Sequence, residues 1–279
     1  MKFDMNAAWA DTTAMLKRNS DILAVMAAVF FFLPSLALAI LAPTAELEAI
    51  AAANPDQLNA ALEGYFAESW LIIMVYSLVS IVGTLAVFAL FGRQTKPTVG
   101  EAIGAGVKGF LPYLASFLIV GIAVALAALL VGLITGASGA VVIGALLGIA
   151  LLIVLVFVSV RLLLTGPIIA IEGVANPIAA LRRSWRMVKG NTKRVFAFVL
   201  LIGIAILVVS MVVGFVFALI GSVFGPEAGL WIESILTAML GAVTTLILLA
   251  AYVAIYRQLA GGPASALDTP RRDLAEPVE

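Results

Sequence analysis

Six long apolar stretches dominate the chain, and short polar segments separate them. Each is long enough for a helix to cross about 30 Å of hydrocarbon at 1.5 Å rise per residue. The first is too long for the apolar core of a usual signal peptide, so we expect it to remain as a span. The pattern predicts an all-α integral membrane protein whose six transmembrane helices run roughly over Ile22–Leu41, Trp70–Phe91, Leu111–Ile134, Val141–Leu164, Val195–Val223 and Leu230–Tyr256.

A short amphipathic segment precedes the last pair of spans. Asn176 is a favourable N-cap, Pro177 suits the first helical turn, and Gly190–Asn191 suits a left-handed stop. A helix of this kind lies in the membrane interface, with its apolar face towards hydrocarbon and its basic face towards lipid phosphates. The predicted apolar face holds Ile178, Leu181, Trp185 and Val188, and the predicted basic face holds Arg182, Arg183, Arg186 and Lys189.

Similar segments precede the other two pairs of spans. Thr98 and Glu101 are spaced as a capping box at the start of 98–108, and 5–18 ends in Lys17 and Arg18. The sequence therefore predicts three transmembrane hairpins, each preceded by a cytoplasmic amphipathic interfacial helix. Alternatively, any membrane protein with basic inner loops gathers charges before its odd-numbered spans and only looks repetitive. We expect one six-span domain over 1–260, with approximate repeats 1–92, 93–165 and 166–260, and a disordered cytoplasmic tail over 261–279.

The basic residues fix the predicted orientation. All 16 Lys and Arg residues fall on one side of the six spans, whereas the loops 43–69, 135–140 and 224–229 contain none. Because basic residues in short loops resist translocation, this side is the cytoplasmic one and both termini lie there. In the long outer loop, Asn54–Pro55 predicts the start of a short helix on the outer surface.

Composition agrees with a membrane protein and removes several kinds of chemistry. The 279 residues are 63% hydrophobic and 11% charged, with a mean hydropathy of +1.18. A soluble domain of this composition would have a largely apolar exterior. The chain contains neither Cys nor His, so we expect no cofactor, no metal site and no catalytic residue, and hence no enzyme. The net charge of +0 gives no argument for nucleic acid as a partner.

Two sets of residues are candidates for function. Arg161 and Glu172 flank the apolar segment after the fourth span, where Gly166–Pro167 predicts a break or kink. One possibility is that Glu172 forms an ion or headgroup site. The other, which we favour, is that it forms a buried ion pair with an Arg of the next helix, called here the tie. The second set attracts anionic lipid headgroups or simply keeps its loop inside, and it comprises Arg182, Arg183, Arg186, Lys189, Lys193 and Arg194.

The segment 172–196 also resembles a known signature. It is similar to the bacterial glycerophosphoryl diester phosphodiesterase membrane-domain family and to the related YciC-like six-span inner-membrane proteins. The resemblance implies a six-span fold in the bacterial plasma (inner) membrane but no activity, because the phosphodiesterase of fused members is a separate barrel for which this chain has no room. The residues that carry it are Glu172, Gly173, Ala180, Leu181, Arg183, Ser184, Trp185, Lys189, Gly190, Asn191 and Phe196.

These observations favour a non-enzymatic function. We expect lipid or envelope organisation, with membrane lipids as partners and anionic headgroups as the bound group. The alternative is a transporter for a small apolar or amphiphilic solute. The sequence leaves open a homo-oligomer or a membrane-protein partner.

Overall fold

The computed structural model describes residues 2–42, 44, 47, 50–51, 53–92, 98–138 and 141–261, and every regular element in these ranges is helical. The predicted tail therefore lies outside the described residues except for Gly261. A 3-10 turn over Pro55–Gln57 and a π-helical turn over Ala28–Phe32 accompany the α-helices. The α-helices are α1 (Met5–Arg18), α2 (Ser20–Ala27), α3 (Leu33–Leu41), α4 (Leu58–Gly92), α5 (Val99–Ser138), α6 (Val141–Leu162), α7 (Thr165–Glu172), α8 (Pro177–Val188), α9 (Thr192–Val223) and α10 (Pro226–Leu259).

Within the described residues, six helical segments are long and apolar enough to cross a membrane, which confirms the all-α class and agrees with a multi-pass membrane protein. The first joins α2 and α3 through the π turn, and the fourth joins α6 and α7. The described spans are Ser20–Leu41, Leu58–Gly92, Val99–Ala137, Val142–Glu172, Thr192–Val223 and Trp231–Leu259.

The π turn in the first span has a local cause. Pro34 lies in the first turn of α3 and has no N–H to donate to the preceding turn. The wider turn accommodates this, and the N–H of Leu33 donates to the carbonyl of Ala28. Phe30 from the same turn packs where a Cβ on Gly83 would lie, at 2.4 Å from the Phe30 Cβ. Gly83 therefore permits the close approach of the first two spans.

Two short helices expected from the sequence are parts of longer ones. Leu58 begins a helix that continues to Gly92, so the outer surface helix is the start of the second span. Residues 98–108 likewise belong to the continuous α5, and the prediction of a separate interfacial helix there is wrong. Gly106 lets this helix approach its neighbour α4 closely, because a Cβ on Gly106 would lie 2.6 Å from the carbonyl oxygen of Val82.

The predicted helices 5–18 and 177–189 are separate elements, α1 and α8. Asp4 caps α1 by accepting from the N–H groups of Asn6 and Ala7. Gly190 adopts a φ of +91° directly after α8, so α8 does not continue into α9. Their placement in a membrane interface stays a prediction.

The buried core lies towards one end of the helices. It includes the end of α4 over 85–91, the start of α7 and the last turns of α10. By contrast, no residue is buried in the most apolar windows of the third and fourth spans. Helices α1, α7 and α8 pack at the well-packed end, and this end carries the candidate site.

Candidate functional site

Helix α8 docks on the bundle through small side chains. The Asn176 side chain caps it, accepting from the N–H groups of Ile178 at 3.0 Å and Ala179 at 3.1 Å. Its buried residues are Ala180, Ser184 and Val188. Small residues such as Ala180 and Ser184 allow a helix to pack closely against its neighbours, and α8 packs against α5, α6 and α7.

The predicted apolar face of α8 is only partly correct. Of its four residues, Val188 is buried in the protein and Leu181 is partly buried, whereas Ile178 is 49% and Trp185 37% exposed. In a protein surrounded by lipid, large apolar side chains lose nothing by remaining exposed. Ile178 and Trp185 thus form an apolar edge beside the docked face.

Ser184 joins α8 to the break between α6 and α7. Its hydroxyl donates to the carbonyl of Arg161 at 2.8 Å and accepts from the N–H of Leu164 at 3.2 Å. The break therefore falls at 163–164, just before the predicted Gly166–Pro167. Pro167 fits the first turn of α7, where an N–H would have no partner within the helix. Ser184 supplies one hydrogen bond to each of the two interrupted helix ends.

Arg161 contacts two aromatic rings at the end of α6. Its guanidinium carbon is 5.1 Å from the ring centres of both Phe157 and Trp185, and these rings meet edge to face at 5.8 Å. One guanidinium nitrogen donates to the Trp185 carbonyl at 3.1 Å. The buried Nε of Arg161 has no hydrogen-bond partner in the described part of the chain. Aromatic faces stabilise this cation, and within that part no carboxylate forms a salt bridge with it.

Glu172 forms the tie expected from the sequence. One carboxylate oxygen lies 2.6 Å from the Nε of Arg183, and the other accepts from the Tyr256 hydroxyl at 2.8 Å. The pair is less buried than expected, with 17% of the Glu172 side chain and 48% of the Arg183 side chain exposed. The tie joins α7 to both α8 and the last span. Tyr256 was missed because it lies 84 residues away in sequence.

Two glycines of the predicted motif end the helices around this site. Gly173 follows α7 with a φ of +70°, and Gly190 follows α8 with a φ of +91°. Side-chain-bearing residues rarely adopt such angles, whereas glycine adopts them readily. Each glycine therefore ends its helix in a backbone conformation that another residue would adopt only with strain.

Asn191 holds the N-terminal segment. Its side-chain oxygen accepts from the N–H of Phe3 at 2.9 Å. Arg194 donates to the Phe3 carbonyl at 3.5 Å, and the Phe3 ring packs on Phe198 at 5.5 Å. Asn191 and Arg194 thus connect the start of α9 with the residues before α1, although Arg194 remains exposed.

A second clamp joins α1 to the end of α10. Arg257 pairs with Asp11 at 3.0 Å and also donates to the carbonyl of Phe91. Asp4 and Gln258 exchange two hydrogen bonds between backbone and side chain. Sequence reasoning missed this clamp, since 246 residues separate Asp11 from Arg257. One feature of the sequence could have indicated a partner for Asp11, namely that it is the single acidic residue within α1.

The remaining predicted headgroup residues form an exposed basic surface, defined as Arg182, Arg186, Lys189 and Lys193. Over the described ranges, none of the four forms a salt bridge. Arg183 differs from them because it pairs with Glu172. The structure thus brings together exposed cations, the Arg161 aromatic cluster and the exposed apolar edge of α8.

Comparison with known proteins identifies the family but no activity. The searches of curated proteins and of solved structures found no match. A family model described as a domain of unknown function, DUF7847, matches residues 6–259. This match covers the ten helices described above except for Met5, and the chain belongs to the DUF7847 family.

Proposed function

We propose that this protein is a non-enzymatic protein of the bacterial plasma membrane that binds anionic lipid headgroups and thereby organises lipid at the cytoplasmic surface. The observation that carries the proposal is the basic surface of Arg182, Arg186, Lys189 and Lys193, exposed and without salt-bridge partners in the described chain. It lies on and beside a helix that is docked through a buried face. Docking fixes the backbone of α8, so a bound phosphate has to order only the side chains of these cations.

The apolar edge of α8 supports the same placement. Ile178 and Trp185 are exposed on the helix that carries Arg182 and Arg186. Trp prefers the level of lipid headgroups, where its ring is apolar and its N–H is hydrated. Each cation near an anionic surface contributes about 1 kcal/mol, and salt screens this attraction. Arg161 adds a further cation in contact with Trp185.

The proposal includes the orientation of the chain and the interfacial placement of two short helices. With six spans, α1 and α8 lie on one side, which we assign to the cytoplasm because of its basic residues. Helices α1 and α8 would then be interfacial and would each lead into a hairpin. We also propose kinship with the glycerophosphoryl diester phosphodiesterase membrane-domain family, supported by the structural roles of Glu172, Ser184 and Asn191 in the shared motif.

The test replaces three cations of the basic surface. The variant Arg182→Gln/Arg186→Gln/Lys189→Gln is compared with wild type for retention of phosphatidylglycerol over phosphatidylcholine in mixed nanodiscs. The matched control, Arg182→Lys/Arg186→Lys/Lys189→Arg, changes the same three exposed positions and keeps all three charges.

We expect the α8 variant to lose most of its preference for phosphatidylglycerol, because about 3 kcal/mol of attraction is removed. The wild-type preference should also fall as salt rises, whereas the control variant should retain most of it. An α8 variant with the wild-type preference would show that these charges only set topology.

An open cavity between the helices favours the alternative function, a transporter for a small amphiphilic solute. Its volume is about 370 Å³, and it lies between α4, α5, α6 and α10. Its lining is mainly apolar but includes the hydroxyl-bearing side chains of Thr84, Tyr113, Ser116, Ser159 and Tyr252. Flux of a fluorescent amphiphile across proteoliposomes that stops on Ser116→Phe, yet survives loss of the basic surface, would favour this alternative.

A further inference from the structure

A larger cavity opens beside Glu172, and none of the four residues of the basic surface lines it. Its volume is about 560 Å³, and it lies between the first turns of α5 and the end of α7 with the loop that follows. The lining combines charged side chains with an apolar floor. The charged residues are Glu101, Lys108 and Glu172, and the floor includes Pro112, Ile169 and Ile171.

The charges around this cavity balance. Glu101 and Glu172 contribute two carboxylates, Lys108 contributes one ammonium, and Arg183 is bonded to Glu172. Lys108 is exposed and forms no salt bridge with any residue that the structure describes. A site with equal numbers of both charges attracts a single ion weakly from a distance, but it complements a ligand that carries both signs.

We propose that this cavity binds the head of a zwitterionic amphiphile that carries a primary ammonium and a phosphate. The ammonium donates to Glu101 and Glu172, and the phosphate accepts from Lys108. A primary ammonium has three N–H donors for these carboxylates, whereas a quaternary ammonium has none. The apolar floor receives the part of the amphiphile next to its head. The site is separate from the basic surface, and it does not depend on the binding of anionic lipid.

A single substitution can fill the cavity. Gly104 lines it, and a Cβ added to Gly104 meets no heavy atom within 4 Å. The Cβ of Gly104→Leu therefore meets no obstacle and the rest of the side chain takes up space in the cavity, while the substitution raises the helix propensity of α5. Gly121 on the same helix is also free of contacts at its Cβ, and it does not line the cavity. Gly121→Leu is the matched control.

The charge can be removed without loss of the helix cap. The Glu101 carboxylate accepts from the N–H of Thr98 at 3.0 Å, while the Thr98 hydroxyl accepts from the N–H of Glu101. Gln serves the same capping role. Glu101→Gln thus keeps the start of α5 and removes one of the carboxylates that should select the ammonium.

The measurement is native mass spectrometry of the full chain in detergent, with phosphatidylethanolamine and phosphatidylcholine offered at equal concentration. We expect wild type and Gly121→Leu to retain phosphatidylethanolamine on the order of tenfold better. Gly104→Leu should lose this retention while its thermal stability stays at or above that of wild type. Glu101→Gln should lose most of the preference between the two lipids.

A competition experiment shows whether the site recognises the headgroup alone or the whole lipid. If soluble glycerophosphoethanolamine displaces the lipid, the headgroup alone is sufficient for binding. If it does not displace the lipid, the acyl chains are also required, and in both cases the proposed headgroup chemistry is supported. Equal retention of both lipids by wild type overturns the proposal, as does full retention of phosphatidylethanolamine by a folded Gly104→Leu protein. Loss of the preference for phosphatidylglycerol in the basic-surface variant changes neither result, so the two proposals fail independently.

Discussion

Replacement of Ser184 by Ala tests how α8 is held. The Ser184 hydroxyl is fully buried, and it bonds the Arg161 carbonyl at 2.8 Å and the Leu164 N–H at 3.2 Å. Leu164 is itself fully buried, so its N–H has no access to water in the variant. Hydrogen bonds between membrane helices average about 0.6 kcal/mol, and a buried group left unpaired costs about 1–3 kcal/mol. We expect a loss of about 2 kcal/mol, or roughly 30-fold in the unfolding equilibrium.

The free energy of unfolding is measured by reversible denaturation in mixed micelles. Ser159→Ala is the control, since Ser159 is exposed and its hydroxyl donates to the Leu155 carbonyl within the same helix. The control deletes the same atom and should stay within about 0.5 kcal/mol of wild type. If Ser184→Ala unfolds with the same free energy as the control, the hydroxyl does not hold α8 at the break.

Three further variants test the neighbouring contacts. Gly190→Ala should lower the free energy of thermal unfolding by about 1 kcal/mol, because the φ of Gly190 is +91°. The control Gly203→Ala lies at an open helical position and should be neutral or stabilising. Equal effects of the two substitutions would contradict this reasoning. A double-mutant cycle of Glu172→Gln and Arg183→Gln should give a coupling free energy of about 1 kcal/mol, which is small because solvent screens the half-exposed Arg183. A coupling of zero would show that this salt bridge does not stabilise the fold. Asn191→Ala should speed proteolysis before α1, because its side chain binds that segment; an unchanged cleavage rate would argue against the contact.

The sequence predicts the local features of this fold well. Hydropathy alone locates the six spans, because a helix in lipid needs a long apolar stretch. The caps at Asn176 and Thr98 are confirmed, since capping depends on residues only two or three positions apart. The tie at Glu172 follows from the cost of an isolated carboxylate near the membrane, although the sequence does not specify Arg183 as its partner.

Contacts between distant segments were not predictable from the pattern. The bonds of Glu172 with Tyr256 and of Asp11 with Arg257 depend on how the spans pack, and no spacing in the sequence encodes them. The buried face of α8 was misjudged for a related reason. Hydrophobicity identifies inward positions only where water is the alternative, and in lipid small residues such as Ala180 mark the packed face instead.

Labelling of single cysteines tests the central claim most directly, namely that the basic surface lies on the cytoplasmic side of six spans. The native chain has no Cys, so Asn59→Cys and Arg182→Cys each introduce one thiol at an exposed position without background. A membrane-impermeant maleimide should label Asn59→Cys in intact cells and Arg182→Cys only after the cells are broken open. Labelling of Arg182→Cys in intact cells, or of both variants from the same side, would contradict the account.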